Sequence, residues 1–126
     1  MINYELDFDE GILLQSTELE RIGREELSLD EMVLTNKNII CVYEKSNGLF
    51  KKSDTIVEKL PLSTIKVVNG KVQASLYDDD EYGKGLQIWF KDGHREHILF
   101  SSSPKKEIPF WVDAISEAIT GEPAVK

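Results

Sequence analysis

The spacing of apolar residues changes once along this chain, and that change decides its architecture. Leu86, Ile88 and Phe90 alternate with Gln87, Trp89 and Lys91; beyond the Asp92-Gly93 turn, Ile98 and Phe100 share a face. A period of two belongs to a half-buried β-strand. Past Ser101-Ser102-Ser103-Pro104 the apolar residues are Ile108, Trp111, Val112, Ile115, Ala118 and Ile119, now three or four apart. That is one stripe of an amphipathic helix. Serine is a capping residue and Pro104 suits a first helical position. Pro109 lacks an amide donor, so the spacing predicts a capping-helix segment over 104–120 with an irregular first turn, regular from Glu107 or Ile108. Gly121 ends it as a C-terminal cap, and 121–126 form a tail.

Residues 1–10 read as an acidic lead-in, in which Tyr4, Leu6 and Phe8 alternate. The strands occupy 11–100. Residues 12–22 form the first, turned by Gly23-Arg24-Glu25, and Glu26 to Thr35 the second. In the second, Leu27 and Leu29 fall on odd numbers but Met32 and Leu34 on even ones. A one-residue slip would flip the buried face, so a bulge near Asp30-Glu31 must restore it. Thr35-Asn36-Lys37-Asn38 supplies turn residues that tolerate left-handed conformations. Ile39 to Glu44 is almost continuously apolar, as expected of a strand covered on both faces. Lys45 to Asp54 is a loop around Asn47-Gly48, and Thr55 to Leu60 a strand stopped by Pro61. Leu62 to Val68 is a bend and strand; Asn69-Gly70 is a hairpin signal. Val72 to Tyr77 follows, with Val72, Ala74 and Leu76 on one face. The expectation is therefore a mainly β fold of about seven antiparallel strands with one C-terminal helix. The 126 residues make a single domain, large enough to bury a core without staples.

Formal net charge is −8. That disfavours sequence-independent binding of nucleic acid and docking on an anionic membrane through bulk charge. The lone cysteine, Cys41, sits in Ile39-Ile40-Cys41-Val42 and reads as a small buried hydrophobe. The acidic start Met1-Ile2-Asn3-Tyr4-Glu5 lacks the apolar core of a signal peptide, and no apolar run reaches membrane-spanning length. The simplest inference is a cytoplasmic protein.

Three segments together resemble a known family: Gly11-Ile12-Leu13-Leu14, Glu31-Met32-Val33-Leu34-Thr35-Asn36-Lys37-Asn38-Ile39-Ile40 and Leu60-Pro61-Leu62-Ser63-Thr64-Ile65. They are similar to bacterial pleckstrin-homology (PH-like) domains of the PH/GRAM/GLUE superfamily. Phe110-Trp111-Val112-Asp113-Ala114-Ile115 resembles that family's helix. The resemblance spans residues 11 to 120. It implies a PH-like barrel: about seven strands in two strongly bent sheets, capped by a helix in which Trp111, Val112 and Ile115 plug the open end. It implies no common chemistry, because members bind phosphoinositides, peptides or proteins.

No convergent catalytic set stands out. His94 and His97 are three apart, which on a strand separates their faces, and both read as exposed strand histidines. No phosphate loop, zinc spacing or nucleophile elbow is present, so neither metal nor cofactor is implied. Asp78-Asp79-Asp80-Glu81 is contiguous, unlike a calcium loop, and reads as a solvated turn. In phosphoinositide-binding relatives the loop between the first two strands is basic. Here Arg21 and Arg24 stand among Glu18, Glu20, Glu25 and Glu26, which argues against such a headgroup. Leu49-Phe50-Lys51-Lys52 is one interaction candidate, for a membrane interface or a protein partner, unless Leu49 and Phe50 fold back onto the core. Trp89 is another, unless Tyr4, Leu6 and Phe8 cover its face. The expectation is a non-catalytic interaction module that binds a protein or its own copies, with peripheral membrane contact through Leu49–Lys52 as the alternative.

Overall fold

The computed structural model describes residues 4–23, 28–45, 54–101, 103–122 and 124. Among these residues nine strands and a short 3-10 turn at Leu62–Thr64 precede one α-helix: β1 (Ile12–Arg21), β2 (Ser28–Thr35), β3 (Asn38–Lys45), β4 (Asp54–Pro61), β5 (Val67–Val68), β6 (Lys71–Val72), β7 (Ala74–Asp79), β8 (Gly83–Trp89), β9 (Arg95–Phe100) and α1 (Pro104–Thr120). Seven of them build one antiparallel sheet in the order β4-β3-β2-β1-β9-β8-β7, while β5 and β6 form a separate two-stranded sheet. The expected two sheets are thus one continuous sheet plus a small hairpin. The join is β1, which pairs with β2 from Ile12 to Leu19 and with β9 over Leu19–Arg21. Glu18 lies at the changeover with a left-handed φ of 60°, and its carbonyl accepts from the Ser101 amide. The sheet is not a closed barrel, since its outer strands β4 and β7 do not pair with each other.

The bulge expected near Asp30 is present as a register shift between Leu29 and Glu31 against β3. It returns Leu29, Met32 and Leu34 to one core with Ile39, Cys41 and Tyr43. The opposite face of β2 and β3, bearing Val33, Ile40 and Val42, is also buried, so β3 is covered on both sides. Its outer cover is the lead-in: Tyr4 and Leu6 pack there, but Phe8 is fully exposed. The lead-in docks on the turn after β2. Glu10 accepts from the Thr35 hydroxyl and the Asn38 amide group, and Asn36 accepts from the Gly11 amide at 2.7 Å. Burial alone would raise the Glu10 carboxyl, but these donors outweigh it and hold it below the usual range. The turn expected at Thr35–Asn38 is present, and none of its residues needs a left-handed conformation. Thr35 Oγ1 fixes it instead, accepting from the Lys37 and Asn38 amides at 3.0 and 2.9 Å.

The strand expected over Val72 to Tyr77 is split at Gln73. Asn69 and Gly70 both adopt positive φ and turn β5 into β6, as their sequence demands. Gln73 then donates to the Lys66 carbonyl and accepts from the Trp89 amide, which leads the chain onto the main sheet as β7. The helix is regular from Pro104, earlier than expected, with Pro109 inside it. The donor missing at Pro109 would serve the Lys105 carbonyl, which lies in the exposed first turn where water can replace it. Ser103 gives no side-chain cap; its left-handed backbone presents its carbonyl to the Lys106 and Glu107 amides. Gly121 caps the other end at φ 85°.

The expected apolar stripe of α1 faces the sheet. Ile108, Trp111 and Ile115 are fully buried, and Val112, Ala118 and Ile119 pack around them. Trp111 Nε1 donates to Ser16 Oγ at 2.8 Å, and that hydroxyl lies 3.1 Å from Glu107 Oε1. A second buried tie crosses the sheet elsewhere: Arg21, 4% exposed, bonds to the Tyr43 hydroxyl, Glu58 on β4 and Glu96 on β9.

Candidate functional site

The sheet has a free margin beside the helix. β7 pairs with β8 from Ala74↔Ile88 to Asp79↔Gly83, and among the described residues no backbone hydrogen bond reaches its other edge. Because the Trp89 amide donates to the Gln73 carbonyl, the antiparallel alternation turns the N–H and C=O groups of Ala74, Leu76 and Asp78 outward. Between this edge and α1 runs a groove of about 440 Å³. Val72, Ala74, Ser75, Leu76 and Trp89 line its sheet side. Pro109, Val112, Asp113, Ser116 and Thr120 line its helix side, with Glu122 and Ala124 at one end. Leu76 was expected to share the core face of Val72 and Ala74. It is 38% exposed because it borders this groove.

Trp89 is equally exposed, with the Arg95 guanidinium 5.5 Å above its ring. The lead-in does not cover it, since Tyr4 and Leu6 pack against Val33, Ile40 and Val42. Trp89 therefore belongs to the groove, as a sequence-derived candidate that the fold places at an open site. Leu49, Phe50, Lys51 and Lys52 lie outside the described residues, as does Arg24. Arg21, the other cation considered for a headgroup, is consumed inside the protein. Burial alone would lower its pKa, but Glu96, Glu58 and Tyr43 outweigh that and raise it.

Of the two histidines, His94 is exposed and stacks on Phe90 with ring centroids 4.4 Å apart. His97 departs from expectation: it is only 8% exposed. Gly85 on the neighbouring strand explains this, because a Cβ there would stand 2.3 Å from His97 Nε2. The ring fills the space that glycine leaves, with the Tyr77 ring edge-on at 5.4 Å. Burial lowers the His97 pKa, and its Nε2 has no hydrogen-bond partner. The unfolded chain therefore takes up a proton near pH 6.5 that the folded protein resists. Stability should be intact above that pH and fall below it, by up to about 1.4 kcal/mol per pH unit. Unfolding at pH 7.5 and 5.5 should show a loss that His97→Leu diminishes; equal losses in both proteins would refute the assignment.

Cys41 is fully buried and its thiol is pushed up to about 12, chiefly by burial, so it is unsuited to attack. In the acidic turn, Asp79 accepts from the Glu81 and Tyr82 amides at 2.8 and 3.0 Å, and Asp78 pairs with Lys84. Among the described residues no three His, Cys, Asp or Glu side chains are grouped to hold a metal ion. No helix of those residues is long and apolar enough to cross a membrane.

Compared with family models, with curated proteins and with solved structures, the chain gives no match.

The groove escaped the sequence reading because its two walls come from distant segments. Asp113 and Ser116 belong to the helix's polar flank and Ala74 to Leu76 to a strand. Only the final strand order makes β7 an edge.

Proposed function

We propose that this chain is a non-catalytic, PH-like interaction module that binds a protein segment in the groove between β7 and α1. The observation that carries the reading is the unpaired edge of β7 facing a helix across an open groove. Exposed strand edges are templates for another chain, and folded proteins usually blunt or cover them. Here the groove beside the edge is lined with half-exposed Leu76 and Trp89, side chains suited to anchoring a partner. The PH-like part of the reading is supported by the seven-stranded antiparallel order and by a C-terminal helix whose Trp111 is buried against the sheet. A phosphoinositide headgroup has less support, because Arg21 is already neutralised by Glu58 and Glu96.

Selection from a displayed library of random twelve-residue peptides tests this. Wild-type protein should enrich peptides that bind at least tenfold more weakly to a Leu76→Glu variant of unchanged melting temperature. No enrichment, or binding indifferent to that substitution, would count against the groove. Light scattering after size exclusion tests the self-association arm, which predicts a dimer that Leu76→Glu dissociates.

A further inference from the structure

Resting on that reading, we infer that the occupant of the groove is an extended, basic segment of another protein, added as a strand to the edge of β7. The backbone supplies the first half of the case. Ala74, Leu76 and Asp78 present unpaired amides and carbonyls in one row, which only an extended chain can satisfy in succession. A helix docked in the groove would leave them unsatisfied, because its own backbone groups are used internally.

Charge supplies the second half. Asp113 lines the helix side of the groove and Glu122 its end, and neither carboxylate has an ion-pair partner among the described residues. Asp80 and Glu81 stand just past the end of β7, whereas Lys71 is the only cation lining the groove among the described residues. A strand laid along β7 turns every second side chain towards the same wall. Lysine or arginine at those positions would face Asp113 and Glu122, while the residues between them would turn to the opposite face of the sheet, the side of Ser75 and Tyr77. The same charges disfavour a second copy as occupant. Antiparallel self-pairing of β7 would add a second Asp113 and Glu122 to the first, on chains that each carry −8.

The test uses two labelled nine-residue peptides, one alternating valine and lysine and one alternating valine and glutamate, titrated by fluorescence anisotropy at low salt. The lysine peptide should bind at least tenfold more tightly than the glutamate peptide. Asp113→Lys combined with Glu122→Lys should abolish or reverse that preference. N-methylation of alternate peptide amides should remove binding. In nuclear magnetic resonance spectra, binding should shift the amides of Ala74, Leu76 and Asp78. Equal affinity for the two peptides, no binding by either, or shifts confined to another surface would overturn the assignment. If the library selection still yields groove binders in any of those cases, the protein-binding reading stands and only the basic, strand-adding occupant falls.

Discussion

Arg21→Met should destabilise the protein by roughly 3–5 kcal/mol, the range for removing one partner of a buried ion pair. The guanidinium lies almost wholly inside the protein and bridges Glu58 on β4 to Glu96 on β9, with the Tyr43 hydroxyl as a third partner. Three strands separate these two in the sheet order, so one side chain ties together strands that the ladder does not pair. Removing it leaves Glu96, itself 13% exposed, without its cation. Most of the cost is that stranded charge. Arg21→Met combined with Glu58→Leu and Glu96→Leu should therefore recover much of the loss, because an apolar cluster avoids desolvating the ions at all. Chemical denaturation of the single and triple variants measures both. A single variant within about 1 kcal/mol of wild type would show the bridge to be energetically idle, as exposed pairs often are.

Arg21 also illustrates what the sequence conceals. By pattern it is one of two cations among four acids at the end of a strand, and such a charge reads as solvated. Its burial depends on Glu58 and Glu96, which are 37 and 75 residues away, and no local period signals such a meeting. The same holds for His97, whose burial depends on Gly85 in the next strand. Features set by neighbours in sequence were legible. The phase slip between Leu29 and Met32 marked the bulge, Asn69-Gly70 marked a turn, and the three-four spacing after Ile108 marked the face of α1. The bounds of the helix were legible, but its first turn is regular where Pro109 suggested irregularity, because the bond missing at Pro109 can be replaced by water. The groove lay beyond reach for a further reason. It is defined by a strand that lacks a partner, and a missing partner leaves no trace in the residues of the strand itself.

Trp111→Ala should cost a similar roughly 3–5 kcal/mol, the usual price of deleting a large buried side chain. Trp111 is fully buried, packs edge-on to Phe100 at 6.3 Å and reaches β1 through the Ser16 hydroxyl. It therefore joins α1 to both halves of the sheet at once, since β1 leads into one and β9 into the other. A domain of this size has about 5–15 kcal/mol in total, so the loss should appear as a large drop in melting temperature. Trp111→Phe separates packing from hydrogen bonding. It keeps most of the apolar area and forfeits only the bond to Ser16, whose hydroxyl retains Glu107, so it should cost about 1–2 kcal/mol. Fluorescence supplies an independent check. The chain has two tryptophans, and Trp89 is half-exposed while Trp111 is not, so Trp111→Phe should leave only the red-shifted emission of a partly hydrated indole. The groove gives the same residue a functional consequence. Val112 and Asp113, the next two residues, are part of the helix wall opposite β7. A helix that loosens when Trp111 is truncated should lose peptide binding at temperatures where the protein is still folded. Full retention of binding by a folded Trp111→Ala protein would mean that the wall is held by other contacts.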